Sequence, residues 1–195
     1  VDKNRMGLYG TSWGGASAIW CAAFDERIKV IVNSVGVSDG ERWLKNARRP
    51  HEWQEFNEKV SEAARIRVTT NQPTTMPLLD IMLTDPHTLD VIQQNHQKHG
   101  HYVSDYDLES AESCVRFKPE KVAYMISPRP VLVIYAEDDC TVPPEEQLGC
   151  FEQLGEPKKL VKLPKAQHYE SYYFCNPDMH ELGMSEAVSW FEKYL

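Results

Sequence analysis

With 195 residues, 42% of them hydrophobic, the chain can bury a full core and fits one domain, which excludes a disordered protein. Its 29 acidic and 21 basic residues give a net charge of -8, and no run of Lys or Arg is long enough to neutralise a row of phosphates, so nucleic acid is excluded as a partner. No 18-residue apolar window and no charged start followed by an apolar stretch occur, so neither a membrane span nor a signal peptide is expected.

The first element is a strand at residues 6–9, followed by Gly10-Thr11-Ser12-Trp13-Gly14 and an Ala-rich buried helix over residues 12–24. A serine between two glycines, after a strand and before a helix, has the pattern of a nucleophile elbow. Glycines there lack the Cβ that would keep strand and helix apart, and Ser12 stands at the tip of a strained turn. The turn Asp25-Glu26-Arg27 and a strand over residues 28–35 complete a strand, helix, strand unit.

Residues 38–127 place their apolar side chains at helical rather than strand spacing and read as an insertion. Residues 41–67 are charged and helical in pattern, 72–77 form a Pro/Thr breaker, and 87–98 and 105–117 read as further helices. A second strand, helix, strand unit follows: a β-branched strand at 130–135, a helix opened by prolines at 143–154 and a strand at 159–163. Residues 185–195 close the chain as an amphipathic helix with Ala187, Val188, Phe191 and Leu195 at helical spacing. Strands alternating with helices imply a parallel sheet and an α/β fold.

A serine hydroxyl is a weak nucleophile at neutral pH and needs a histidine to take its proton and a carboxylate to hold that histidine. The strand at 130–135 runs into Glu137, Asp138 and Asp139, three carboxylates at the carboxyl edge of the sheet, where open α/β sheets bind ligands. Past the last strand, His168 lies in a loop at the same edge. The other histidines lie elsewhere: His51, His87, His96, His99 and His101 in the inserted stretch, His180 in a late loop.

These residues resemble the α/β-hydrolase superfamily, whose members carry serine, acid and histidine in this chain order. The stretch Ile134 to Pro143 is similar to the family's acid loop, in which the aspartate precedes a Val-Pro pair; Val142-Pro143 selects Asp139 over Asp138 and Glu137. The phrases Asp25-Glu26-Arg27-Ile28-Lys29 and Ser127-Pro128-Arg129-Pro130-Val131-Leu132 look most like the dienelactone-hydrolase-like and Xaa-Pro dipeptidyl-peptidase-like branches. Typical dienelactone hydrolases carry cysteine where this chain has Ser12, so their substrate is not carried over.

The resemblance implies a three-layer α/β-hydrolase sandwich in which residues 1–37 and 128–195 form the core and 38–127 a helical cap or lid. It implies a triad of Ser12, Asp139 and His168, with the backbone N–H of Trp13 as one oxyanion-hole donor. In family members further strands and the loop carrying the other donor come before the elbow strand; here that strand begins within ten residues of Val1, so N-terminal strands of the fold are expected to be missing. Trp43, Trp53 and Tyr169 are candidates to line the substrate pocket, as are Phe56, Tyr172 and Tyr173, although aromatics at helical spacing equally serve a core.

The function implied is a serine hydrolase, carboxylesterase-like, cleaving an ester, thioester, lactone or amide of a small-molecule acyl substrate. An acyltransferase, a carbon-carbon bond hydrolase or a noncatalytic ligand-binding relative are the alternatives. No cofactor is expected, and no metal: His96, His99 and His101 lack a carboxylate or cysteine at ligand spacing. Five scattered cysteines without C-x-x-C spacing argue against a disulfide framework and for a cytoplasmic location. The oligomeric state, a homodimer included, is not set by the sequence.

Overall fold

The β-branched runs form one parallel sheet in the computed structural model, which describes residues 2–99 and 105–195, the side chains of His96 and His99 excepted. In chain order the elements are β1 (Met6–Thr11), α1 (Trp13–Phe24), β2 (Ile28–Ser34), α2 (Gly40–Asn46), α3 (Pro50–Thr70), β3 (Thr75–Pro77), α4 (Leu78–Ile81) and α5 (Pro86–His99). Then come β4 (Asp105–Asp107), α6 (Leu108–Arg116), β5 (Val131–Ala136), α7 (Pro144–Gln153), β6 (Lys158–Leu163) and α8 (Pro177–Tyr194). Tight 3-10 turns occupy Pro119–Lys121, Ala123–Ile126 and His168–Ser171. None of the described helices is long and apolar enough to cross a membrane.

The chain divides into two units, Val1–Ser38 with Lys118–Leu195, and Asp39–Phe117. In the first, the sheet order is β1-β2-β5-β6 with every pairing parallel. Alternating residues send side chains to opposite faces of such a sheet. Ile31, Val131 and Val133 pack with Ala18, Ile19 and Ala22 of α1, Cys150 of α7 and Leu154 just after it. Val30, Val32, Leu132 and Ile134 face the other way and pack with Ala187 and Trp190 of α8. The sheet is thus covered on both sides, and the register Thr11↔Ser34, Ser34↔Ile134 and Ala136↔Leu163 brings the carboxyl ends of the strands to one edge.

Residues 118–127, grouped by sequence with the insertion, pack with the sheet unit. Their 3-10 turns bury Ala123 and Ile126 completely in the α1 and α7 layer, and the unit boundaries fall at Asp39 and Phe117.

In the second unit the stretch 41–67, helical in pattern, forms two helices. Pro50 is the first residue of α3, and Arg49 before it is extended at φ -69° and ψ 157°, because the proline ring disfavours helical backbone in its predecessor. Asp39 caps α2 by accepting from the N–H groups of Glu41 and Arg42 at 3.0 Å. The breaker segment contains β3, which pairs antiparallel with β4; Asp105–Asp107 is therefore strand, and α6 begins three residues later than expected. Arg67 of α3 braces α6 through Glu112 at 3.0 Å and Glu109 at 3.6 Å. At the chain end, α8 starts at Pro177 rather than near 185, with Asn176 accepting from the Met179 N–H at 3.2 Å.

Candidate active site

Ser12 occupies the turn from β1 into α1 with φ 53° and ψ -125°. A non-glycine residue at positive φ costs about 1–3 kcal/mol and persists only where its surroundings impose it. Here the Ser12 N–H donates to the Ser34 carbonyl of β2 at 2.9 Å, and the Ser12 carbonyl accepts from the Ala16 N–H at 3.1 Å. The steric part of the elbow is shared differently from the expectation. A Cβ at Gly10 would overlap the Gly14 carbonyl and one at Gly15 the Asn33 amide oxygen, whereas a Cβ at Gly14 would meet nothing within 4 Å. Gly10 and Gly15, not Gly14, let strand and helix approach.

The three carboxylates after β5 have separate environments. Glu137 is exposed, accepts from Lys162 Nζ at 2.8 Å and the Lys165 N–H at 3.0 Å, and is held below the usual carboxylate range by the bond from Lys162. Asp138 is exposed. Asp139 is 3% exposed, and its Oδ1 accepts from the Thr141 N–H at 2.9 Å and the Val142 N–H at 2.7 Å. Its Oδ2 lies 2.7 Å from His168 Nδ1. The sequence reading named Asp139 but missed these backbone donors, although an aspartate taking N–H groups two and three residues on is a recognisable turn signal.

His168 opens a 3-10 turn set by the Gln167 N–H donating to Glu170 Oε2 at 2.7 Å and by Ser171 Oγ donating to the His168 carbonyl at 2.7 Å. The loop carrying it is laced to the acid loop: the Glu137 N–H donates to the Leu163 carbonyl at 3.0 Å and the Asp138 N–H to the Ala166 carbonyl at 2.9 Å. His168 Nε2 lies 3.1 Å from Ser12 Oγ, which completes a chain of Ser12, His168 and Asp139 within one unit. Nucleophile and base within about 3.2 Å, with the base held by a third group, is the geometry that activates a hydroxyl.

Tyr169 meets His168 edge to face at 5.3 Å and stands with Tyr172 and Phe174 in one aromatic cluster. Burial pushes the Tyr172 phenol up, its bond to Thr11 acts the other way, and the nearby Asp139 charge adds to the rise. Trp13 is the first residue of α1, so its N–H stands at the positive end of the helix dipole beside Ser12. Trp43 and Trp53 lie on α2 and α3 of the Asp39–Phe117 unit, Trp53 stacked on Phe56 at 5.8 Å. No group of three His, Cys, Asp or Glu side chains that could hold a metal occurs among the described residues. His101 and the side chains of His96 and His99 lie outside them.

A family model described as the prolyl oligopeptidase family matches residues 1–76. The chain is 24% identical over 200 residues to a 31.7 kDa protein of the traX-finO intergenic region of Escherichia coli, covering all of this chain and 67% of that one. It is 24% identical to the thiohydrolase aneE of Aspergillus aculeatus over 184 residues, covering 87% of this chain and 56% of that one. It is equally 24% identical to the polyketide transferase grgF of Penicillium sp over 174 residues, covering 87% and 57%. The crystal structure of the α/β hydrolase GrgF superposes on all of this chain with a TM-score of 0.78 at 19% identity, and the chain spans 65% of its length.

Proposed function

We propose, from a fold shared with an α/β hydrolase of known structure and the match of residues 1–76 to the prolyl oligopeptidase family, that the chain is a serine hydrolase of small acyl compounds, with a thioester as the first substrate class to test and an ester, lactone or amide after it. The observation that carries the reading is the unbroken chain of 3.1 Å and 2.7 Å contacts from Ser12 Oγ through His168 to Asp139. The similarity to a thiohydrolase favours the thioester.

In this mechanism the Ser12 hydroxyl donates to His168 Nε2 and loses its proton there as Oγ attacks the substrate carbonyl. Asp139, fixed by two backbone N–H groups on Oδ1, accepts from His168 Nδ1 and stabilises the imidazolium. The Trp13 N–H receives the developing oxyanion. His168 returns the proton to the leaving group and then deprotonates the water that frees Ser12.

A second reading keeps the same three residues and replaces water by an alcohol or amine acceptor; the similarity to a polyketide transferase favours it. The test is a fluorophosphonate probe together with a panel of acyl thioesters and p-nitrophenyl esters. Labelling and turnover are expected in the wild type and lost in Ser12→Ala; an unlabelled wild type would revive the noncatalytic binding protein. Products formed in labelled water, with and without acceptors, separate hydrolysis from transfer.

A further inference from the structure

A buried polar atom left without a partner is costly, and folded proteins relieve that cost with internal water making about three hydrogen bonds. Among the described residues of the Ser12 unit, Asn33 Nδ2, Asn33 Oδ1, Gln147 Oε1 and Ser38 Oγ are buried with no hydrogen-bond partner. Asn33, Gln147 and Ser38 are each 0% exposed.

The Asn33 and Gln147 side chains both reach Gly36. A Cβ at Gly36 would land on the Asn33 amide oxygen, and Gln147 Nε2 donates to the Gly36 carbonyl at 2.8 Å. Ser38, two residues on, is held by its N–H donating to Glu146 Oε2 at 2.9 Å. The cluster also reaches the elbow. Asn33 pairs with Gly10 across the β1–β2 ladder, and its amide oxygen fills the space that a side chain at Gly15 would need. On its other side, Glu146 and Gln147 lie in the first turn of α7, directly after the acid loop. The chemistry is complementary: Asn33 Nδ2 offers two N–H donors, Asn33 Oδ1 and Gln147 Oε1 accept, and the Ser38 hydroxyl can do either.

We propose that an internal water bridges the Asn33 side-chain amide and Gln147 Oε1 beside Gly36, and that Asn33, acting through it, is a positioning residue that ties the Ser12 elbow to the helix following Asp139. The consequence at Ser12 rests on the reading of Ser12 as nucleophile; the water site does not.

Two measurements test this. A crystal structure resolving ordered water is expected to show one within hydrogen-bond distance of both the Asn33 amide and Gln147 Oε1. Direct contact between the two amides, or no water there, overturns the proposal. The second measurement is the fluorophosphonate labelling rate of Ser12 in the wild type, Asn33→Leu, Gln147→Met and the double variant, each checked for folding by circular dichroism. Each single variant is expected to label about tenfold or more slowly, since small displacements of reacting groups are costly, and the double no slower than the slower single, because both break one bridge. Wild-type labelling in a folded single variant, or multiplying losses in the double, overturns the positioning role. Should Asn33→Leu not fold, Asn33→Ser, which retains a donor and acceptor, is expected to keep the wild-type labelling rate within about threefold; a tenfold loss there overturns the role. If the wild type itself is not labelled, the nucleophile reading and the positioning role fall together, while the crystal structure still decides the water.

Discussion

Asp139 Oδ2 lies 2.7 Å from His168 Nδ1 with both residues 3% exposed, while Glu137, two residues earlier, turns outward to Lys162. Asp139→Asn is therefore expected to lower kcat by about 10⁴-fold, as loss of the orienting carboxylate does in serine hydrolases, without loss of fold. Glu137→Gln removes an exposed ion pair while its one remaining oxygen can still accept from the Lys165 N–H, and should leave kcat within about twofold. Steady-state kinetics on a thioester, with thermal unfolding as control, distinguishes the two carboxylates.

The two glycines of the elbow motif should respond in opposite ways. Gly10→Ala forces a Cβ into the Gly14 carbonyl, and overlap with backbone is expected to cost about 3 kcal/mol or more and to abolish labelling of Ser12. Gly14→Ala enters open space in the first turn of a helix and should hold or raise stability, by up to about 1 kcal/mol. Urea denaturation of both variants checks the contrast.

Arg129 fastens the end of α1 to the sheet. Its guanidinium donates to the carbonyls of Ala22 at 2.6 Å, Asp25 at 2.9 Å, Ile28 at 3.0 Å and Ile126 at 3.1 Å. Arg129→Met removes all four bonds, although the Ile126 and Asp25 carbonyls keep the Arg129 and Ile28 N–H groups, and a loss of about 2–4 kcal/mol is expected in urea denaturation, given the cost of unmade bonds to a charged donor.

Asp25 supplies a pH signature. Hydrogen bonds from Arg27 hold its carboxyl at about 2, below the ordinary 3.8. The unfolded chain thus takes up the proton more readily than the folded one, so the stability that Asp25 contributes is full above the ordinary value and lost as pH falls toward 2. Asp25→Asn should lower the thermal midpoint slightly at neutral pH, and the gap to wild type should close between about pH 4 and about pH 2. A gap that widens on acidification would contradict this.

The arrangement of Ser12, His168 and Asp139 was legible because these residues sit at strand ends with strong local patterns. Ser12 lies between glycines after a strand, Asp139 follows the β-branched run of β5, and His168 follows β6. Less legible was whatever depends on pairing across the chain. The three-residue strands β3 and β4 are too short to show alternation. The first half of α8 presents Asp178 and Glu181 to solvent and so lacks an apolar stripe, although Asn176-Pro177 carried a cap and first-turn signal. Pro50, visible in the sequence, breaks a pattern that charge periodicity alone had joined. Asn33 looked like part of an apolar strand; only the packing of Gly15 and Gly36 around it shows why a polar residue stands there.

The chain leaves the Ser12 unit after Ser38 and re-enters it at Lys118, and each unit is stitched across that neck. The Glu120 N–H donates to the Ser38 carbonyl at 3.1 Å in one unit, and the Gly40 N–H to the Phe117 carbonyl at 3.0 Å in the other. Exit and entry points one hydrogen bond apart make residues 39–117 an exchangeable cassette. A change in the length of residues 39–117 therefore leaves the sheet that carries Ser12, Asp139 and His168 uninterrupted, since all three lie within Val1–Ser38 and Lys118–Leu195.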